Sequence, residues 1–342
     1  MPLTFAPGLK TTAMGILPHE DVDRALELVL TLDIPFWPQL PNVSFHEDMY
    51  VQSSENFPGV RVYENEKKIR FDTIRFYEDL QRYAETSLYP STFDITEAYS
   101  LVYRKFLKLD LSSYAAIRGQ ITGPVSFGLK IFDENNKPII YNDEVRTLIF
   151  DFIRQKTIRQ YEHLREKNAN AFMFVDEPGL EFIFSGLSGY TQERARDDFA
   201  SFFQGIHAPR GIHLCGNPDW DFLLSLDIDL LSFDTYARGE LFVNYAGRIK
   251  KFLDRGAVIS WGIVPTGFEN FDRETISSLI SRLEVLWDTL AQKGIDRQRM
   301  IERSLLAPAT CCLVNPDKTL TVEKAYQVLR ELSARLRERY HL

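Results

Sequence analysis

Two side chains that suit a metal ion stand two residues apart in the chain. They are His213 and Cys215, within the stretch 211–217, which reads as an extended strand followed by a loop. On an extended strand the side chains at positions i and i+2 point the same way, so an imidazole and a thiol are expected to face one side together. Imidazole nitrogen and thiolate sulfur suit zinc. The pair predicts two ligands of a zinc (Zn²⁺) site, against the simpler interpretation of a buried histidine beside a buried thiol.

The other two cysteines are adjacent, at the end of a later apolar run. With Cys311 and Cys312 the chain has three cysteines, which do not form a disulfide framework and favour a reducing, cytoplasmic location. Neighbouring side chains on an extended backbone diverge, so Cys311 and Cys312 are not both expected to be ligands. Cys312 stays open as a ligand, a redox partner or a bystander. Three protein ligands with an open fourth position are typical of catalytic zinc.

Apolar, strand-like runs alternate with helical patterns along the chain. The eight runs are residues 11–18, 34–39, 115–123, 171–177, 211–215, 229–234, 257–265 and 304–311. Most are followed by a segment with apolar residues at helical spacing. This order predicts an α/β fold, a (β/α)8 TIM barrel. A length of 342 residues suits such a barrel as one domain spanning residues 1–342.

Residues 40–110 break this alternation. Alternating apolar residues on both sides of a charged turn at residues 64–68 predict a β-hairpin. Helical patterns follow at residues 73–85 and 94–109, and the second opens with Asp94 as in a capping box. We interpret the region as a hairpin-plus-helices insertion between strands 2 and 3 that covers one mouth of the barrel.

Polar side chains stand where most of the predicted strands end, which is where β/α barrels carry their catalytic residues. In chain order they are Gln120 and Thr122 on strand 3, Asp176 and Glu177 on strand 4, His213 and Cys215 on strand 5, Asp234 and Tyr236 on strand 6, and Cys311 on strand 8. The pair Asp176-Glu177 either caps the helix after Pro178 or presents an anion to a substrate ammonium or amide. His19, at the end of strand 1, is either at a helix N-terminus or a substrate contact.

Composition excludes several classes of function. The apolar share of 44% and the charged share of 26% are ordinary for a globular protein. A formal net charge of −8 argues against sequence-independent binding to nucleic acid or to an anionic membrane. No apolar run approaches the roughly 18 residues that span a bilayer, and the N-terminus lacks a basic region followed by an apolar core. We therefore expect neither export nor a membrane anchor.

Five motifs, in order along the chain, carry a resemblance to a known family. They are Thr11-Thr12-Ala13-Met14-Gly15-Ile16-Leu17-Pro18, Thr122-Gly123-Pro124, Asp176-Glu177-Pro178, His213-Leu214-Cys215-Gly216-Asn217 and Pro308-Ala309-Thr310-Cys311. With them the whole chain resembles the single-domain relatives of the catalytic half of cobalamin-independent methionine synthase. The larger superfamily includes uroporphyrinogen decarboxylase and the zinc methyltransferases that act on corrinoid proteins.

The resemblance implies a zinc-dependent methyltransferase that presents a small thiol, such as homocysteine, to an electrophilic methyl donor. It implies zinc ligands at His213, Cys215 and Cys311. Asp234 stands where the methionine synthases use a glutamate, and is either a ligand or a group beside the ligands. It also implies that Asp176 holds the ammonium of an amino acid substrate. We expect Glu177 to be catalytic with Asp176, and the substrate to contact His19, Gln120, Thr122 and Tyr236.

The chain departs from the family pattern at three places. Ile16 and Leu17 stand where methionine synthases carry serine and phenylalanine, no histidine follows strand 7 at residues 264–266, and Cys312 stands where glycine is usual. These changes weaken the case for homocysteine more than the case for zinc. The folate-binding half of the full-length synthase has no counterpart in the chain, so we expect a methylated corrinoid or its carrier protein as the donor.

Two other functions are alternatives. A decarboxylase of the uroporphyrinogen type needs no metal, but the sequence shows no arginine-rich N-terminal segment for a polycarboxylated tetrapyrrole and leaves His213 and Cys215 without a role. A barrel that binds a corrinoid or a partner without turnover would account for the departures at Ile16 and Thr266. Zinc content and methyl transfer to a thiol separate these alternatives.

Overall fold

The structure is a computed structural model that describes residues 3–183, 190–207 and 209–342. Its strands are β1 (Lys10–Thr11), β2 (Val60–Tyr63), β3 (Lys68–Phe71), β4 (Arg118–Thr122), β5 (Phe172–Asp176), β6 (Arg210–Leu214), β7 (Leu230–Phe233), β8 (Val258–Val264) and β9 (Ser304–Pro308). Its α-helices are α1 (Val22–Val29), α2 (Met49–Ser54), α3 (Thr73–Thr86), α4 (Leu101–Phe106), α5 (Pro124–Lys130), α6 (Asp143–Arg165), α7 (Gln192–Gln204), α8 (Trp220–Ser225), α9 (Thr235–Phe242), α10 (Ala246–Asp254), α11 (Phe268–Phe271), α12 (Ile276–Gln292), α13 (Arg297–Glu302) and α14 (Leu320–Tyr340). Among these residues, no helix has the length and apolar character needed to cross a membrane.

Seven of the strands form one curled parallel sheet. Over the described ranges its order is β1-β9-β8-β7-β6-β5-β4, and each neighbouring pair is parallel. Strands β4, β5, β7, β8 and β9 are buried along their whole length, as expected for a parallel sheet covered by helices. The α/β class predicted from the alternating pattern is confirmed.

The second predicted strand, residues 34–39, is not a regular strand. Phe36 forms a single parallel bridge to Arg118 at the start of β4, and Gln39 forms another to Ile16. The segment thus contacts the chain near both edges of the sheet. Its sequence contains Pro35 and Pro38, which lack the N–H that a continuous ladder requires. The ladder is therefore reduced to isolated bridges.

Alternation along the strands sorts side chains between the inside of the curled sheet and the helices outside it. A small buried cluster gathers side chains that point inward: Ile34, Ala116, Phe172, Phe174, Leu230, Val258 and Leu305. Met173 and Val175, which lie between them on β5, belong to the larger core with the helices. Phe172 and Phe174 therefore point inward, and the next residue in their row is Asp176.

The hairpin predicted within residues 40–110 is present, with β2 and β3 antiparallel and Val60 opposite Phe71. The helix expected to begin at Asp94 is wrong in its start: α4 begins after Ser100, whose Oγ accepts a hydrogen bond from the Tyr103 N–H at 2.9 Å. The Asp94 carboxylate instead accepts a hydrogen bond from Arg159 Nε at 2.6 Å. An ion pair with α6 occupies the side chain that was expected to cap the helix.

Candidate metal and substrate site

The register of four neighbouring strands brings the predicted residues to one end of the sheet. Thr122 pairs with Asp176 between β4 and β5, Asp176 with His213 between β5 and β6, and His213 with Ser232 between β6 and β7. Residues paired in a parallel sheet point to the same face. Since Asp176 continues the inward row of β5, all four side chains face the inside at the carboxyl ends of their strands.

His213 is held by a hydrogen bond on each ring nitrogen. Its Nδ1 is 3.0 Å from Ser232 Oγ, and its Nε2 is 3.3 Å from Cys215 Sγ. Burial lowers its pKa to about 3, and the positive charge of Arg118 acts in the same direction. The ring is therefore neutral, and Ser232 fixes its orientation so that Nε2 meets the thiol.

The three cysteines divide into a neighbouring pair, Cys215 and Cys311, and a third with a different partner. Cys215 and Cys311 lie close enough for their thiols to act on each other: the interaction lowers the pKa of Cys311 and raises that of Cys215. Cys312 Sγ donates to the carbonyl of Val314 at 3.3 Å. The two adjacent cysteines thus point to different partners, as the diverging side chains of an extended backbone predict.

Asp234 lies beside the pair as the N-cap of α9. Its Oδ1 accepts a hydrogen bond from the Ala237 N–H at 2.9 Å, and its negative charge contributes to the raised pKa of Cys215. Burial raises the pKa of Asp234 itself to about 6. In the described part of the chain, no three or more His, Cys, Asp or Glu side chains are gathered as a metal group. The Cys215 thiol contacts His213, and Cys311 is close enough to act on the pKa of Cys215.

Asp176 is an enclosed carboxylate, 7% exposed, on the same inner face as His213. Burial raises its pKa to about 8; the Arg118 guanidinium opposes that rise, and the negative charges of Cys311 and Glu177 add to it. With that pKa the Asp176 carboxyl group is mostly protonated at neutral pH, and a cationic group that entered beside it would favour the ionised form.

Glu177 has a different environment. Its carboxylate accepts hydrogen bonds from the N–H groups of Val125 and Ser126, at 3.0 and 2.8 Å, and from the Ser126 hydroxyl at 2.6 Å. Glu177 therefore caps α5, rather than the turn after Pro178. A Cβ at Gly123 would stand 2.2 Å from Glu177 Cδ, so the Thr-Gly-Pro and Asp-Glu-Pro motifs fit together in one contact. Burial raises the pKa of Glu177 to about 7, and its hydrogen bonds hold it lower.

The two residues predicted on strand 3 lie inside the sheet with backbone partners. Gln120 Nε2 donates to the Trp37 carbonyl at 2.8 Å, and Thr122 Oγ1 donates to the Met49 carbonyl at 2.9 Å. Both side chains are fully buried. They hold residues 34–39 and helix α2 against β4, beside the inward row that contains Asp176.

His19 and Tyr236, the other predicted substrate contacts, lie apart from the cysteines with carboxylate partners of their own. His19 is fully buried, and its Nε2 is 3.2 Å from Glu323 Oε1. The Tyr236 hydroxyl donates to Glu274 at 2.9 Å, and the Arg282 guanidinium lies 4.5 Å from the Tyr236 ring centroid. These contacts join His19 to α14 through Glu323, and Tyr236 to α12 through Arg282.

A buried arginine was missed by the sequence analysis. Arg118 opens β4 at 1% exposure; its Nε donates to Thr12 Oγ1 at 3.1 Å and its Nη1 to Gln120 Oε1 at 2.9 Å. Its guanidinium carbon lies 4.4 Å from the Phe36 ring centroid. Among the described residues its buried Nη2 has no hydrogen-bond partner. The sequence did contain a signal for it: residues two apart on a strand point to the same face, so Arg118 was to be expected on the inner face with Gln120.

The space beside Cys311 is small. The cavity lined by Thr266, Cys311 and Tyr326 has a volume of about 10 Å³, roughly the space for one water molecule.

Known proteins resemble this chain in structure. No protein-family model and no curated protein sequence matches it. It is similar to a B12-independent methionine synthase from Shewanella sp. W3-18-1 in complex with selenomethionine, with a TM-score of 0.57, 13% identity and 99% of each chain covered. It is also similar to a methyltransferase from Methanosarcina mazei, with a TM-score of 0.55, 12% identity, and 98% of this chain and 95% of that chain covered. At such identity the likeness shows the fold, and it agrees with the superfamily that the motifs indicate.

Proposed function

We propose that the protein is a zinc-dependent methyltransferase that moves a methyl group from a corrinoid or similar donor to a small thiol such as homocysteine. One observation carries the proposal. At the carboxyl ends of the strands, Cys215 Sγ lies 3.3 Å from His213 Nε2, and the Cys311 thiol is near enough to shift the pKa of Cys215. One imidazole and two thiols are a donor set that suits zinc and leaves a coordination position for a substrate.

The sheet, in this proposal, closes into a barrel of eight β/α units, with residues 34–39 in the place of the second strand. The Ile34 N–H donates to the Thr11 carbonyl at 3.0 Å, and the Arg118 N–H donates to the Pro35 carbonyl at 3.1 Å. These bonds reach β1 on one side and β4 on the other, which supports closure. Residues 40–110 then form the insertion between the second and third strands.

The donor spacing supports zinc. Zinc–ligand bonds of about 2.0 Å to nitrogen and about 2.3 Å to sulfur, at a tetrahedral angle, put the two ligand atoms about 3.5 Å apart. His213 Nε2 and Cys215 Sγ are 3.3 Å apart. Ser232 on Nδ1 is the kind of outer partner that orients a metal-binding histidine. His213, Cys215 and Cys311 would hold the ion, and Asp234 would be a fourth ligand or a neighbour of the ligands.

The methyl transfer itself requires few other residues of the chain. Bound zinc would keep a substrate thiol ionised at neutral pH. The thiolate sulfur forms the new bond to the methyl carbon while the bond between methyl and donor breaks, and the donor keeps the bonding electrons. Asp176 would hold the substrate's ammonium on the inner face shared with His213. Glu177 would keep α5 and the turn at Gly123 in place beside Asp176.

The test is metal content by elemental analysis, on protein purified without chelator or affinity metal. We expect about one zinc per chain in the wild type and its loss in Cys215→Ser and Cys311→Ser. Cys312→Ser is the matched control, because its thiol is bonded to Val314 and should leave the zinc in place. The zinc-loaded protein is then assayed for methyl transfer from methylcobalamin to homocysteine and to other small thiols.

Either of two results would remove the proposal. Zinc retained in Cys215→Ser together with full activity would contradict the ligand assignment. A wild type that takes up no zinc after supplementation would favour the decarboxylase or the binding barrel. The cytoplasmic location belongs to the proposal as well, and the three free cysteines support a reducing compartment.

A further inference from the structure

A groove with excess positive charge lies beside the β2–β3 hairpin. Its cavity has a volume of about 430 Å³. The charged residues that line it are Lys67, Lys68, Arg70, Lys130 and Asp48. We call this surface the basic groove. Four cations face one carboxylate here, although the whole chain carries a formal net charge of −8.

Most of these cations lack an anionic partner. Lys68 is 3.2 Å from Glu66, and both side chains are more than half exposed. Arg70 donates to the neutral amide of Asn136 at 3.1 Å. Lys67 and Lys130 form no salt bridge with any residue that the structure describes. The one carboxylate, Asp48, is already bonded to the N–H groups that open α2, at 2.9 and 3.3 Å.

Cross-strand pairing between β2 and β3 adds to the excess of positive charge. Arg61 on β2 stands directly opposite Arg70 on β3. Like charges in this position destabilise an antiparallel pair. Arg61 is 3.4 Å from Asp79, whereas Arg70 forms no salt bridge with a described residue and donates to the Asn136 amide oxygen. A bound anion would offset the repulsion that the fold leaves in place.

Helix α5 and Tyr50 connect the basic groove with the candidate site. The first turn of α5 donates to Glu177 from Val125 and Ser126, and its last residue is Lys130, about 6–8 Å further along the helix axis. Lys130 Nζ lies 5.4 Å from the Tyr50 ring centroid. Burial raises the pKa of Tyr50, and the negative charges of Asp48, Glu177 and Asp176 add to the rise. Tyr50 therefore lies near both the cations of the groove and the carboxylates of the site.

We propose that the basic groove binds an anionic group, carboxylate or phosphate, carried by the methyl donor. This assignment rests on the proposed methyl transfer, since it gives the donor a second point of attachment outside the site. The uncompensated cations supply the attraction. The connection through α5 and Tyr50 places that attachment within the reach of a molecule that also enters the site.

The test is isothermal titration calorimetry with two probes, inorganic tripolyphosphate and propane-1,2,3-tricarboxylate. We expect saturable binding at about 20 mM salt that weakens at about 300 mM salt, as screening shortens the reach of the charges. Lys130→Gln and Arg70→Gln should each weaken binding roughly tenfold. Lys67→Asn removes a third charge at a residue whose φ is +48°, a conformation that asparagine tolerates. Lys108→Gln, an exposed lysine that does not line the groove, is the matched control and should bind as the wild type does.

Each outcome decides a different question. Tighter binding of tripolyphosphate assigns a phosphate, and tighter binding of the tricarboxylate assigns carboxylates. Saturable binding that the groove variants lose supports the anion site even where methyl transfer fails, because calorimetry needs neither zinc nor turnover. Methyl transfer from methylcobalamin without saturable binding of either probe would overturn the groove and leave the proposed function standing. Binding that the groove variants and Lys108→Gln retain equally would also overturn it.

Discussion

Replacing Gly123 with alanine tests the contact that joins two motifs of the candidate site. The glycine lies between β4 and α5, and a Cβ there would stand 2.2 Å from Cδ and 2.3 Å from Oε1 of Glu177. The backbone angles of Gly123, φ −70° and ψ 159°, are ordinary for alanine. The contact with Glu177, rather than backbone strain, therefore decides the result. In Gly123→Ala the Glu177 side chain has to leave the N-terminus of α5.

The hydrogen bonds of Glu177 set the magnitude. Its displacement leaves three donors without a partner: the N–H of Val125, the N–H of Ser126 and the Ser126 hydroxyl. A buried donor without a partner costs about 1–3 kcal/mol, and the displaced carboxylate regains part of its hydration. We expect Gly123→Ala to lower the free energy of unfolding by about 3–5 kcal/mol. That is a large share of the roughly 5–15 kcal/mol that holds a typical domain folded.

The assay is urea denaturation of Gly123→Ala beside a glycine control. Gly247 lies within α10, and a Cβ there meets nothing within 4 Å. Gly247→Ala should therefore stabilise the protein by up to about 1 kcal/mol through helix propensity. The same Gly123→Ala change is also made in a Glu177→Ala background, where the short side chain removes the clash. In that background, Gly123→Ala should lower the free energy of unfolding by less than about 1 kcal/mol.

Two results would refute this reasoning. A loss below about 0.5 kcal/mol in the single variant would mean that Glu177 moves aside without leaving its donors unpaired. An equal loss from Gly123→Ala in both backgrounds would mean that the alanine meets something other than Glu177.

Three further predictions follow from other buried groups. Burial lowers the pKa of Lys156 from 10.5 to about 8; the unfolded chain then binds more protons between these values, so stability should rise with pH from about 8 to about 10.5. Lys156→Met should abolish that rise in urea titrations and stabilise the protein at pH 7 by up to about 3 kcal/mol. Arg118→Met should move the pKa of Asp176 above about 8 in zinc-free protein, followed by carboxyl ¹³C NMR, because the Arg118 charge lowers it; an unchanged or lower value would exclude that influence. Ser232→Ala should weaken zinc binding roughly tenfold in competition with a chromophoric chelator, whereas its register partner Ser260, whose buried Oγ has no partner among the described residues, should tolerate alanine.

The sequence predicted the strand ends well because parallel strands have a period of two. One row on β5 runs Phe172, Phe174, Asp176, and an inward apolar pair leads directly to the carboxylate. The same alternation holds in the stretch 211–215, so His213 and Cys215 were predicted to lie on one side. In the structure His213 Nε2 is 3.3 Å from Cys215 Sγ. The adjacent cysteines, Cys311 and Cys312, were expected to diverge and do so.

Partners chosen across the fold could not be predicted in this way. One of the two interpretations of Asp176-Glu177 had the pair cap the helix after Pro178, yet the hydrogen bonds of Glu177 run to Ser126, 51 residues earlier in the chain. Asp94 was expected to cap the start of a helix, but its carboxylate accepts a hydrogen bond from Arg159 of α6 instead. Each short-range rule was sound, but a donor from another element competed for the carboxylate. Sequence spacing does not show that competition.

Arg118 and Asp176 are two buried ionisable residues on the inner face of the sheet. Arg118 lies in the same layer as the apolar cluster, with its guanidinium near Phe36 and Phe174, while Asp176 lies at the carboxyl ends of the strands. Burial raises the pKa of Asp176, and among the described residues Arg118 supplies the positive charge that opposes the rise. A buried arginine with one N–H unpaired among the described residues is costly to the fold, so packing alone does not account for it. Its charge beneath Asp176 keeps the pKa of that carboxyl group lower than burial alone would set it.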